Sequence, residues 1–248
     1  EKPVIVSYQE GVGLTFVPVA EDLYVRGAFG VGEWRLGSLY ALGELQGVSG
    51  GRLLAKTLQG TFSFPIDAWV GEKIVEGDKV DNLPSLIFNF VLFPKNNTNL
   101  NFFDRFRFAA AISSTPKALQ TTVNIEKLGI IKKEGDRLVA TDFSLPSSLV
   151  DTQVSKEGIG VVVLNKSEST GLGRRAARVI EAVGAQVLFI KSEKLENIRC
   201  GIRTSDKIAE SLTVHKINGL FSCAIECDQT FTNSIELILG KEIANELP

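Results

Sequence analysis

Gly171-Leu172-Gly173-Arg174-Arg175-Ala176 spells G-x-G-x-x-A, the residue types that let a backbone approach a pyrophosphate at a helix N-terminus. An apolar run, Val161 to Leu164, precedes it. Apolar residues at helical spacing (Ala176, Ala177, Ile180, Val183) follow, and then a second strand-like run, Gln186 to Ile190. Glu193 lies about 20 residues past the loop, where the dinucleotide fingerprint places an acid for the ribose. The spacing argues against that cradle, because the first glycine should follow the strand at once and here Asn165 to Thr170 intervene. The region is also too short for two mononucleotide halves. The stretch reads first as a loop feeding a helix, with Thr170 or Ser169 as cap, and only second as a nucleotide site. Arg174 and Arg175 in the first turn oppose the helix dipole, and suit either an anionic ligand or solvent.

Cysteine and histidine offer less. An odd set of three cysteines, Cys200, Cys223 and Cys227, does not make a disulfide framework. Cys223 and Cys227 are spaced C-x3-C in a run that reads as a strand, so they are expected on one face as small buried residues. His215 is the single histidine, between Val214 and Lys216, without metal-ligand spacing around it. One histidine excludes mechanisms that need two, and no Ser/His/Asp set is recognisable.

The elements that must position these residues come from an ordinary globular composition. The 248 residues are 44% hydrophobic and 23% charged, with net charge −2. That balance points away from nucleic acid and from a polybasic membrane contact. The longest apolar run, Leu83 to Pro94, is too short to span a bilayer. The chain starts at Glu1 and has no methionine, so it is expected to be a piece of a longer protein with an anchor or signal upstream.

Hydrophobic period and turn residues place strands at 4–6, 13–19, 64–70 and 138–143, and helices at 38–45, 52–58 and 102–112, the last stopped by Ser113-Ser114-Thr115-Pro116. Residues 86–93 form a dense apolar run around Asn89, followed by a polar turn at 95–99. Residues 144–158 read as a linker. Beyond it come strand 160–164, helix 172–183, strands 186–190 and 198–203, helix 205–213, and strands 220–226 and 235–239. The fold class is α/β over 1–143 and a small α+β domain over 159–248, a sheet with two helices on one face.

Val161-Val162-Val163-Leu164-Asn165, Gly171-Leu172-Gly173-Arg174-Arg175-Ala176-Ala177 and Val183-Gly184-Ala185-Gln186-Val187 resemble the LytR C-terminal domain, and Ile235 to Glu242 resembles its closing strand and glycine. The likeness covers residues 158–244. That module commonly follows a LytR–CpsA–Psr catalytic domain, and the first half is similar to one. Gly50 to Leu58 with Pro65-Ile66-Asp67-Ala68-Trp69-Val70 looks like that family's helix and P-I-D-x-[YW]-V strand. Arg35 to Ala41 stands where K-I-N-x-A-Y-A is usual, and Ala20 to Val25 where P-R-D-T-Y-V is usual. The resemblance implies an α/β/α domain that moves glycopolymers from a polyprenyl pyrophosphate carrier to peptidoglycan. Arginines clamp the pyrophosphate and aspartates hold a divalent metal in such a site.

The departures shape the functional expectation. Glu21 stands where the family has the clamp arginine, Gly37 replaces the asparagine of K-I-N, and the family's opening strand does not appear. Asp22, Arg35, Asp104 and Arg107 remain as catalytic candidates. Arg26, Trp34 and Trp69 remain as ligand-binding candidates, with Phe62 and Phe64 as further apolar lining. The resemblance thus implies a pseudoenzyme of the bacterial cell envelope, extracytoplasmic, tethered by an anchor outside this chain, with a non-catalytic binding or assembly role near glycopolymer attachment. Its partner would be a cell-wall precursor, a polyprenyl-linked glycopolymer or an envelope protein, with no nucleic acid and no cofactor. The alternatives are an active phosphotransferase, which would need Mg2+, and a protein–protein docking module built on the C-terminal half.

Overall fold

The structure is a computed structural model that describes residues 3–9, 11–71, 83–93, 97–140, 151–194 and 198–247. It is a mixed α/β protein with three sheets among the described residues. The chain divides into two compact units: Glu1–Gly27, Gly32–Ala55 and Ala68–Phe143 form the first, and Ala28–Val31, Lys56–Asp67 and Ser144–Pro248 form the second.

In the first unit, β1 (Val4–Gln9) pairs antiparallel with β2 (Gly13–Pro18), and β5 (Gln120–Thr122) joins β2 in parallel. A second sheet has the order β4-β3-β7-β6, from β3 (Leu23–Gly27), β4 (Gly32–Arg35), β6 (Ile131–Glu134) and β7 (Arg137–Ala140). The unit's helices are α1 (Leu39–Leu45), the start of α2 (Gly50–Phe62), whose residues from Lys56 on belong to the second unit, α3 (Leu83–Leu92) and α4 (Phe102–Ser114). Leu14 and Phe16 of β2 pack with Ile87 and Val91 of α3 and with Ala109 and Ile112 of α4. The N-terminus of α4 is capped reciprocally: Asp104 N donates to Asn101 Oδ1 at 2.8 Å, and Asn101 Nδ2 donates to Asp104 Oδ2 at 2.6 Å.

The expected strand at 64–70 is absent. The segment has no regular structure apart from an isolated bridge, Val70 to Thr98, while Phe62 and Phe64 are buried. The dense apolar run is helix α3. The strand expected to reach 143 ends at Ala140, and the rest of it, with linker residues 144–150, lies outside the described residues. The end of the expected linker is a helix, α5 (Thr152–Glu157). Asp151 caps it by accepting from Gln153 N at 2.9 Å, and Gly158 closes it at φ +62°.

The second unit holds β8 (Gly160–Asn165), α6 (Leu172–Val183), β9 (Gln186–Ser192), β10 (Cys200–Thr204), α7 (Asp206–Ala209), α8 (Leu212–Phe221), β11 (Ala224–Cys227), β12 (Ser234–Leu239) and α9 (Lys241–Glu246). Their sheet runs β11-β10-β12-β8-β9, with β10–β12 antiparallel and the other pairs parallel. Val161 and Val163 pack with Ala176, Val179, Ile180 and Val183 of α6 and with Val214, Ile217 and Phe221 of α8.

Helix 205–213 and strand 220–226, expected from sequence, are redrawn here. The first breaks at Ser211, whose hydroxyl accepts from Val214 N at 3.2 Å and starts a new helix that runs to Phe221. Val214, Ile217 and Phe221 at helical spacing outweigh the strand-like residues around Cys223. Cys223 is not a plain buried thiol either, because it forms a disulfide with Cys200, while Cys227 is free and exposed.

Both ends of α8 are matched to its dipole. The Glu157 carboxylate accepts from Leu212 N at 2.9 Å, Thr213 N at 2.8 Å and Thr213 Oγ1 at 2.5 Å. At the other end Lys56 Nζ donates to Leu220 O at 2.5 Å; midway along the helix Lys216 Nζ lies 3.5 Å from Asp67 Oδ2. Desolvation works to raise the Glu157 pKa, but the bonds from Thr213 and Leu212, helped by His215, outweigh it and hold the carboxyl below its ordinary value.

Two predictions follow from these ties. Glu157 titrates lower folded than unfolded, so its contribution is fully present above the ordinary glutamate pKa and is lost as pH falls through the lowered one. Glu157→Ala should cost about 1 kcal/mol at neutral pH, and Glu157→Gln should flatten the acid limb of a pH–melting curve, read by circular dichroism. Reducing the Cys200–Cys223 bond frees a loop of sequence separation 23 and should cost roughly 3 kcal/mol, seen as a lower melting temperature in reductant that Cys223→Ser reproduces without it.

Candidate functional site

On β3, Leu23 and Val25 are buried, so Tyr24 and Arg26 fall on the opposite face. Pairing sets Arg35 of β4 beside Tyr24 and Glu33 beside Arg26, while Val139 of β7 lies on the other side of Tyr24. Alternation along β7 brings Arg137 to the same face. Both neighbouring strands therefore supply a guanidinium to one phenol ring: Arg35 Cζ is 5.6 Å from the Tyr24 centroid and Arg137 Cζ is 4.8 Å from it. Arg35 Nε also donates to Tyr24 Oη at 3.2 Å. That bond, and behind it the charge of Asp22, favours the protonated guanidinium and raises the Arg35 pKa. Arg137 Nη1 stands 3.9 Å from Glu33 Oε2 with both side chains exposed, which is a loose pair.

The arrangement presents guanidinium edges from fixed strand positions. Planar donors held this way suit bidentate capture of a phosphate or carboxylate. Asp22, Arg26 and Arg35 thus share one sheet neighbourhood, joined by Tyr24 and Arg137, which sequence reasoning missed. A signal for Arg137 existed: Gly135-Asp136 between Glu134 and Arg137 is a two-residue hairpin turn, with Gly135 at φ +62°. Gly37 N donates to Glu21 O at 2.9 Å, so these two residues are backbone neighbours at the edge of this face.

The other candidates lie elsewhere. Trp34 pairs with Val25 and is 42% exposed. Trp69 is an anchor: its N–H donates to Asn99 Oδ1 at 2.7 Å, its carbonyl accepts from Thr98 Oγ1 at 2.7 Å, and its ring lies on Gly51. Asp104 belongs to the cap of α4, and Arg107 is exposed on the same helix. Phe62 and Phe64, each 4% exposed, are core residues rather than groove lining. Among the described residues no three His, Cys, Asp or Glu side chains converge on a possible metal position, and no helix is long and apolar enough to cross a membrane.

Each glycine of the G-x-G-x-x-A stretch has a packing reason. Gly171 is the N-cap, at φ +81°, in place of the expected Thr170 or Ser169. A Cβ on Gly173 would lie 2.7 Å from Ile190 Cγ2. The loop folds on Asn165, whose Oδ1 accepts from Ser167 Oγ at 2.6 Å and whose Nδ2 donates to Ser169 O at 3.0 Å. Glu193 pairs with Lys191 at 2.7 Å and Lys166 at 3.6 Å, and the Lys191 bond leads in lowering its pKa.

No family model matches the chain, and no curated protein matches it. Among solved structures, the solution structure of the C-terminal domain of RV0431 is similar at 15% identity, over 44% of this chain and 88% of that one, with a TM-score of 0.27.

A Cβ at Gly51 would fall 2.0 Å from Trp69 Cε3. Gly51→Ala should therefore displace the indole and red-shift its emission, measured in a Trp34→Phe background so that Trp69 alone reports. An unchanged spectrum would mean that the ring does not rest there.

Proposed function

We propose that this chain is a non-catalytic binding or assembly protein of the bacterial cell envelope, working near the attachment of cell-wall glycopolymers. The observation that carries the reading is the Tyr24 ring held between Arg35 and Arg137, an anion seat on rigid strands. Its ligand would be a phosphate-bearing glycopolymer or the polyprenyl-linked precursor of one. Glu21 at the rim favours gripping over transfer, since a carboxylate beside a pyrophosphate works against the charge that builds up in the transition state. The resemblance to LytR–CpsA–Psr and LytR C-terminal sequences supports the envelope setting. The Cys200–Cys223 disulfide supports an oxidising, extracytoplasmic one.

The phosphotransferase alternative gains one observation, because Arg137 is a guanidinium of the kind that the altered clamp lacks. Mg2+ would then rest on Asp22 and substrate phosphates together, the usual way in which that ion is held. The docking alternative draws on β9, an edge strand with Leu188, Phe189 and Ile190 exposed.

Calorimetric titration with a phosphate-bearing wall glycopolymer should show binding that Arg35→Ala and Arg137→Ala each weaken by about tenfold, the share of one charged hydrogen bond. Incubation with a pyrophosphate-linked lipid carrier and Mg2+ should release no lipid phosphate. Metal-dependent release that Arg35→Ala abolishes would replace this reading with the enzyme.

A further inference from the structure

The inward side of α4 is already filled: Ala109 and Ile112 are buried and Phe108 packs against the same core. Three further phenylalanines face away from it. Phe102, Phe103 and Phe106 are 59%, 76% and 54% exposed, and they touch one another, with centroids 5.9 Å apart for Phe102–Phe103 and 4.8 Å for Phe102–Phe106. Such a cluster is not core overflow, since large apolar side chains left together in water mark a surface with an occupant.

Charge points to what the occupant is. Arg105 and Arg107 flank the rings, and Arg105 Cζ lies 5.9 Å from the Phe102 centroid. The single acid of this turn, Asp104, is tied to Asn101 by both of its bonds at the cap. The patch therefore shows apolar rings with a net positive rim. Its size decides between partners. At about 200 Å² per fully exposed phenylalanine the three rings offer roughly 400 Å², whereas a stable protein interface needs about 800 Å² from each side. A convex aromatic patch of that area with basic neighbours fits shallow insertion at a bilayer surface, with rings below the headgroups and guanidiniums at the phosphates.

We propose that the exposed face of α4 around Phe102, Phe103 and Phe106 seats on an anionic lipid surface. This contact is additional to any anchor outside the chain, and it is independent of the anion seat at Tyr24, which lies on β-strands.

The test is co-sedimentation of the whole chain with phosphatidylglycerol/phosphatidylethanolamine vesicles and, separately, with phosphatidylcholine vesicles. The protein should pellet with the anionic vesicles at low salt. Phe103→Glu with Phe106→Glu should lower the partition by at least about tenfold. Arg105→Gln with Arg107→Gln should lower it less and remove its salt dependence. Melting curves of the glutamate variant should match that of the parent, because Phe103 and Phe106 are exposed. Arg105 is only partly exposed with its Nε buried, so Arg107→Gln alone is the matched control for the arginine pair, and titration with wall glycopolymer should be unchanged for all three. Phe103→Trp gives a second readout, a blue-shifted emission increment on adding anionic vesicles. Failure of the parent to pellet, equal pelleting of the glutamate variant, or a dimer in sizing chromatography that the glutamate variant converts to monomer would each overturn the proposal, the last in favour of a second copy.

Discussion

The burial of β8 constrains the second unit more than any other feature. All six residues from Gly160 to Asn165 are buried, and both neighbours in the sheet, β12 and β9, run parallel to it. A strand buried on two faces is apolar except where a polar side chain finds partners, as Asn165 does at its end, and a parallel neighbour cannot be reached by a hairpin. The chain has to cross over, and α6 is that crossover. The close approach of α6 to the sheet then leaves no room for a side chain at Gly173, and the turn that launches α6 demands left-handed backbone at Gly171. What resembles a phosphate cradle is the geometry of a tight strand–loop–helix passage. Asn165, the last residue of the strand, supplies the hydrogen bonds that a phosphate would otherwise have offered to the loop.

A second constraint acts through α8. A ten-residue helix is marginal on its own, and its ends are satisfied by groups far away in sequence. Glu157, from the helix before β8, takes three donors at the start, and Lys56, from α2, takes a carbonyl at the end. Segment 56–67 therefore belongs with the C-terminal residues rather than with its sequence neighbours. The disulfide acts in the same region, tying the start of β10 to Cys223, two positions past the end of α8. The unit is stitched at its perimeter by charge and sulfur while β8 fills its centre.

These two constraints differ in how readable they are. Helix α6 could be bounded at Leu172 and Val183 from sequence, because its apolar stripe is regular and glycine stands at each end. The apolar run of β8 was equally plain. Helix α3 was not, since Leu-Ile-Phe-Asn-Phe-Val-Leu is apolar on every side and period alone cannot separate a buried helix from a buried strand there. Strands β3 and β4 are short, and β4 is half charged, so they offered no long run to detect. Three cysteines do not reveal which two pair. Lys56 and Glu157 look like solvated charges until the fold brings α8 between them. Of the candidate site, Asp22, Arg26 and Arg35 were found through a resemblance, whereas Tyr24 and Arg137 needed strand pairing to be seen beside them.

The Tyr24 cluster also shows how strand pairing can orient surface guanidiniums before anything binds. Glu21, just before β3, places a carboxylate at one edge of this face, and its carbonyl accepts from Gly37 N. Arg35 and Arg137 each sit against an aromatic ring, and Arg35 spends its Nε on the Tyr24 hydroxyl, so the remaining edges stay oriented outward. Orientation fixed before binding reduces the ordering cost that long cationic side chains otherwise bring to an interface. A ground-state anion gains from such donors wherever they stand on the face. A transition state gains only from donors aimed at the atom where charge develops. Guanidiniums fixed in the middle of an exposed sheet would therefore serve recognition of an anion before acceleration of its reaction.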